Sequence, residues 1–149
     1  MSGGFVLRHL PYGAASQADG VKNLSIQADA FSLPVKERSV DHVVSRNVLS
    51  HHSFPMWRPN PLTFRTALEK LEAELHRVTR KGATVTFHEH YTPWVLDYKE
   101  GGEGEEARLS RLEHLKQVFE PRWRIRPGKI SKKFQNHVAS GIVIKLFKK

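Results

Sequence analysis

Between Phe64 and Arg80 apolar residues return at three- and four-residue spacing, through Leu68, Leu71, Leu75 and Val78. That stripe predicts an amphipathic helix. Thr63 can cap its start, Arg77, Arg80 and Lys81 complement its negative end, and Gly82 can terminate it. A second stripe, Leu109, Leu112, Leu115, Val118 and Phe119, predicts a helix over Glu105–Phe119. Elsewhere the period shortens. Leu24 and Ile26 alternate after a glycine turn and predict a strand over Asn23–Ala28. Adjacent apolar residues in Val40–Ser45 predict a strand buried on both faces of a parallel sheet. "ATVTFHE" (83–89) predicts a strand directly after the first helix. "RWRIRPGKI" (122–130) and "HVASGIVIKLF" (137–147) predict two strands, antiparallel to one another. The prolines of "FPMWRPNPLT" (54–63) and the glycines of "KEGGEGEE" (99–106) mark loops.

Strands that alternate with long helices imply right-handed crossovers onto a parallel sheet. The expected fold class is therefore α/β, with one domain over residues 1–149. Its sheet is expected to be mostly parallel with an antiparallel C-terminal strand pair, and helices are expected on both faces.

A chain of 149 residues can bury one core. It has no cysteine, which excludes disulfide and thiolate chemistry and fits a cytoplasmic location. No apolar run approaches the ~20 residues that span a bilayer, and "MSGGFVLRHLPYG" lacks the form of a secretory leader. The charge changes the picture more. The net charge is +9, from 24 Lys and Arg against 15 Asp and Glu. Pro121–Lys149 holds nine Lys or Arg and no acid, so the whole excess lies there. A basic surface attracts polyanions, RNA among them, although a solvated rim explains such a tail equally well. On a strand, Arg122, Arg124 and Arg126 would share one face, with Trp123 and Ile125 on the other. That stripe suits phosphate contact, or guards an edge strand against pairing.

The element order and four local motifs resemble the class I S-adenosylmethionine-dependent methyltransferases, in particular the methyltransferase type 11 group. The motifs are Ala28-Asp29-Ala30, Leu33-Pro34, Ser39-Val40-Asp41 and Val48-Leu49-Ser50-His51-His52. "ELHRVTRKGATVTF" (74–87) then matches the family's helix, glycine turn and strand, with Ala83 where a second glycine often stands. The resemblance implies an incomplete Rossmann-like methyltransferase sheet with S-adenosylmethionine as cofactor.

In an open α/β sheet, ligands sit beyond the carboxyl ends of the strands. The resemblance implies that Asp29 accepts from the adenine amino group and that the Ala30 and Phe31 N–H groups meet a ring nitrogen. Alone, Asp29 reads as an Asx turn or a helix cap. Ser45, Arg46 and Asn47 would line the methionine side, or form an ordinary polar loop. Asp41, at the start of its strand, takes a structural turn role. His51 and His88 are candidate general bases, because imidazole titrates near neutrality. His52, His90 and Trp94 are candidate substrate contacts, and Trp57 among prolines reads as cover for the core edge. Four histidines with Glu89 also have the makings of a metal site, but the base reading is preferred and no metal is assigned. All of this requires Asp29, Asn47 and His88 to open onto one rim of the sheet.

The family's site begins with a strand, a Gly-x-Gly-x-Gly turn and a helix. Met1–Lys22 has four glycines but not that pattern. "FVLRHLPYGAAS" (5–16) reads as the remnant of a strand and helix, so the first two family strands are expected to be missing. Strand 23–28 would then close the gap, stay loose, or pair with a partner chain or second copy. Weak cofactor binding by this chain alone is the expectation. The acceptor class is open between RNA and a small molecule. The alternative is a non-catalytic, methyltransferase-like module that binds RNA or protein.

Overall fold

The computed structural model describes residues 4–8, 28–49, 63–90, 95–96, 99, 109–128 and 141–149, with the backbone alone at 4–8 and 127. The elements are β1 (Gly4–Arg8), β2 (Val40–Arg46), α1 (Phe64–Val78), β3 (Thr79–Glu89), α2 (Arg111–Phe119), β4 (Trp123–Pro127) and β5 (Ile142–Lys148). They form one five-stranded sheet in the order β1-β2-β3-β5-β4. β1, β2 and β3 run parallel, while β5 lies antiparallel to both β3 and β4. The mixed sheet and the C-terminal antiparallel pair are as the patterning predicts.

The first strand is not where it was expected. The segment 23–27 lies outside the described residues, and Ala28 is irregular. Gly4–Arg8 instead pairs with β2, with Phe5 opposite Val43 and Val6 opposite Val44. Three consecutive apolar residues there suit a parallel strand. The segment expected to be a remnant thus supplies the strand beside β2, and the predicted gap at that edge is filled.

Helix α1 follows its stripe closely. Thr63 is its cap, accepting from Thr66 N–H at 3.1 Å. Leu68, Leu71, Leu75 and Val78 are all fully buried. Each such side chain contributes on the order of 2 kcal/mol of transfer free energy. The helix ends at Val78, before Gly82. Thr79 turns extended, and its Oγ1 donates to Leu75 O at 2.6 Å. Lys148 Nζ reaches His76 O and Thr79 O at 2.6 and 2.7 Å, satisfying carbonyls that a helix end leaves open. Gly82, at φ 77°, lies in the irregular start of β3 where the pairing with β2 shifts register. Helix α2 begins at Arg111 because Ser110 and Glu113 form a reciprocal capping box. Leu109 therefore precedes the helix, and 105–108 lie outside the described residues.

Both helices cover the same face of the sheet. Phe87 of β3 meets Phe119 of α2 edge-on at 6.2 Å, and Trp123 of β4 meets His76 of α1 at 6.4 Å. The register puts Val43, Val85, Phe87, Ile144, Leu146 and Trp123 on that side, all at 1% exposure or less. The opposite side carries His42, Arg46, Lys145, Arg124 and Arg126, all exposed. Helices on both faces are thus not found among the described residues, and the strand Val40–Arg46 is fully buried on one face only. The adjacent apolar pair Val43–Val44 suggested two buried faces, but Val44 is half-buried and His42 and Arg46 beside it are exposed. Among the described residues no helix is long and apolar enough to cross a membrane.

Glu72 binds α1 to the start of β4. It is 5% exposed and accepts from Trp123 Nε1 at 2.8 Å and Arg122 Nε at 2.9 Å, with Arg122 Nη2 on its second oxygen. Arg122 therefore precedes β4 and turns toward α1, so it does not share a strand face with Arg124 and Arg126. Replacing Glu72 with Ala should strand the indole N–H in the core and cost about 2–4 kcal/mol. Glu72→Gln, which keeps an acceptor for Trp123, should cost about half of that. Urea unfolding followed by tryptophan fluorescence measures both.

Candidate functional site

Because β1, β2 and β3 are parallel, their carboxyl ends share one rim, with Arg8, Arg46 and His88 in register. The chain leaves β2 through Asn47, which adopts φ 55°, a left-handed conformation that asparagine tolerates better than most residues. Its backbone N–H donates to His88 O at 2.9 Å, and its side-chain Oδ1 accepts from His90 N–H at 3.1 Å. One residue thus staples the exit of β2 to the exit of β3. Arg111 of α2 holds the next stretch: the residue is 2% exposed, and its guanidinium donates to Leu49 O at 2.6 Å and stands over the Phe64 ring at 4.7 Å.

Ser45 and His88 point to opposite faces of the rim. Ser45 pairs with Phe87 on the helix side, is fully buried, and its Oγ has no hydrogen-bond partner among the described residues. His88 pairs with Arg46 on the other side and is half-buried. Burial first, then the nearby charges of Arg46, His90 and Lys145, hold its imidazole below the ordinary value of 6.5. At neutral pH it is an unprotonated base.

The Asp29 segment lies elsewhere. Asp29 Oδ1 accepts from Phe31 N–H at 2.9 Å, and Asp29 bridges to Ser32. That is the Asx turn of the local reading, and it occupies an N–H that the resemblance assigned to adenine. Ala30 and Phe31 are half-buried against the core. Asp29, Phe31 and Ser32 form one wall of an open cleft of about 410 Å³, and Lys70, Glu74 and Arg77 of α1 help to form the other. Among the described residues, none of the rim lines this cleft. The arrangement brings Arg46, Asn47, His88 and His90 together, while Asp29 and Phe31 line a cleft against α1.

The loop 33–39 is clamped to α1. Glu74 Oε1 accepts from Leu33 N–H at 2.6 Å, and Arg77 donates to Leu33 O and Val35 O at 3.0 Å each. Glu74 and Arg77 also pair with each other at 2.6 Å. The bond from Arg77 keeps the Glu74 carboxyl below its ordinary value. Asp41, at the amino end of β2, pairs with Arg80 at 3.0 Å, in keeping with a structural role. Arg77 reads from sequence only as a charge at a helix end; its three-residue spacing from Glu74 was the available signal. Arg111 had no such signal. His51, His52, Trp57 and Trp94 lie outside the described residues. Among the described residues no three of His, Asp and Glu converge as a metal-binding group.

Comparison with known proteins adds a second line of observation. A family profile described as a methyltransferase domain matches residues 11–87, just over half of the chain. A SAM-dependent methyltransferase from Aquifex aeolicus is similar in structure, with a TM-score of 0.53 and 17% identity over 87% of this chain and 57% of that one. A protein from Pyrococcus horikoshii OT3 is similar at a TM-score of 0.53 and 12% identity, over 83% and 58% of the two chains. A SAM-dependent methyltransferase from Methanosarcina mazei is similar at 0.50 and 17%, over 81% and 65%. At these identities the likeness is one of fold, and the chain spans less than two thirds of each of these structures. No curated protein matches the sequence.

The environment of His88 has a measurable consequence. Its imidazole should titrate below 6.5 by NMR, and Arg46→Gln with Lys145→Gln should raise the midpoint. The unfolded chain binds the proton first as pH falls. The contribution of His88 to stability is therefore complete above 6.5 and is lost as pH drops through the folded value.

Proposed function

The chain belongs to the methyltransferase domain family, and we propose that it serves S-adenosylmethionine-dependent methyl transfer at the carboxyl rim of β2 and β3. The observation that carries this reading is the Asn47 staple, which joins the exits of two parallel strands at the place where open α/β sheets bind ligands. The groups at the rim fit the cosubstrate's polar end. Arg46 offers an exposed guanidinium for a carboxylate, on the side of the rim that also carries His88. The cosubstrate, when bound, supplies a methyl group on a sulfonium.

The chain's own contribution is binding, alignment and proton acceptance. Asn47, fixed at backbone and side chain, sets the height of the rim. Holding the acceptor in line with the methyl group supplies most of the acceleration available to this reaction. The acceptor's nucleophile loses a proton as it gains the methyl group, and we assign its uptake to the neutral imidazole of His88, with His51 as the second candidate. Phe31 N–H donates to Asp29 Oδ1. The carboxylate of Asp29 is therefore the group that we assign to the adenine edge, since it can accept several hydrogen bonds at once. His52, His90 and Trp94 remain the proposed acceptor contacts, and the acceptor is RNA or a small molecule.

Titrating S-adenosylhomocysteine into the ¹⁵N-labelled chain should shift the amides of Arg46, Asn47, His88 and His90. Met1–Lys22 lacks the family's Gly-x-Gly-x-Gly turn, so the affinity should be weaker than micromolar. Asn47→Ala, which removes one bond and the favoured left-handed residue, should weaken it by roughly tenfold. Shifts confined to other surfaces would sink the reading. An unshifted rim together with RNA retention would instead mark a non-catalytic binding module.

A further inference from the structure

We propose that the sheet face turned away from α1 and α2 docks single-stranded nucleic acid. The register builds three rows across this face. One runs Arg46–His88–Val143, the next Val44–Thr86–Lys145–Arg126, and the third His42–Thr84–Phe147–Arg124. None of these residues is acidic. Arg46, Arg124, Arg126 and Lys145 are exposed, and among the described residues none of the four is in an ion pair. The Arg126 guanidinium lies 5.2 Å from the centre of the Phe147 ring, a stacked platform in the middle of the charge.

Two simpler explanations fall short. Charges that guard an edge belong on the edge strand. Arg124 and Arg126 do lie on the edge strand β4, but Lys145 lies on β5 and Arg46 on β2, both interior strands. Cations that merely solvate a surface are ordinarily interspersed with acids, and here the three rows hold none among the described residues. The cations span β2 to β4, three strand spacings or ~14 Å. That width, the exposed cations and the Arg126–Phe147 stack suit a flexible phosphate backbone with bases laid on the platform. The inference does not rest on the methyl-transfer reading, because it uses neither Asn47 nor a cosubstrate.

The test is fluorescence anisotropy of labelled single-stranded RNA and DNA oligonucleotides with the full chain across a salt series. Four cations on the backbone predict a log–log salt slope of roughly −3, at about −0.7 per phosphate neutralised. Arg124→Gln with Arg126→Gln and Lys145→Gln should bring the slope to roughly −1 and weaken binding by tenfold or more. The charge-matched Lys36→Gln, Lys70→Gln, Lys81→Gln chain should bind as the native one does. Circular dichroism checks the fold, and if the triple variant does not fold, single Arg124→Gln and Lys145→Gln should each flatten the slope by about 0.7. Binding of RNA alone, or of both nucleic acids, identifies the source of the strand and upholds the proposal. It is overturned by no binding at low salt, by equal loss in both triple variants, or by capture on phosphatidylserine vesicles without oligonucleotide binding.

Discussion

Glu72 and Glu74 stand two residues apart on α1, so their side chains leave the helix about 200° apart. One reaches Trp123 and Arg122 at the start of β4; the other reaches Leu33 N–H on the loop before β2, and Arg77 of α1 itself. The same helix therefore holds two segments that lie about 90 residues apart in the chain. Both carboxylates are nearly buried, which is tolerable only because each accepts several hydrogen bonds. The apolar stripe of α1 provides the burial, and these two acids decide what the helix is buried against.

A sheet covered by helices on one side has consequences for the other. The odd residues of β3 make the core with Val43, Ile144 and Leu146, while its even residues look away from the helices. The rim lies where the two sides meet. Ser45 and His88 straddle it, one fully buried on the helix side and the other half-buried among cations. Burial is the first cause of the depressed His88 pKa, and Arg46 and Lys145, which make this side of the sheet basic, add to it. Asn47 closes the rim by occupying a backbone conformation that most residues avoid.

Much of the fold was legible because its signals are local. Leu68, Leu71, Leu75 and Val78 mark α1, Thr63 marks its start, and Ile142–Lys148 alternates as a half-buried strand must. The family resemblance is likewise carried by short ordered motifs, and residues 11–87 match the family. Boundaries were less legible. Gly82 looks like a helix terminator, yet Thr79 and Lys148 stop the helix first, and Lys148 is 69 residues from the carbonyl of Thr79 that it caps.

The site divides in the same way. Asp29 was visible as a carboxylate after a candidate strand, and its Asx turn is a local event of two residues. Its place against α1 was not visible, because it depends on how loop 33–39 is clamped to α1 across more than 40 residues of chain. The excess of positive charge is written in the composition, but which cations act together is not. Arg122 is one residue from a strand whose arginines face outward, and Glu72, fifty residues earlier, draws it to the other side. Periods of 2 and 3.6 follow from backbone geometry and can be read along one chain. The partner of a buried charge is chosen by which elements come to lie together, and that is settled only when the sheet and helices pack.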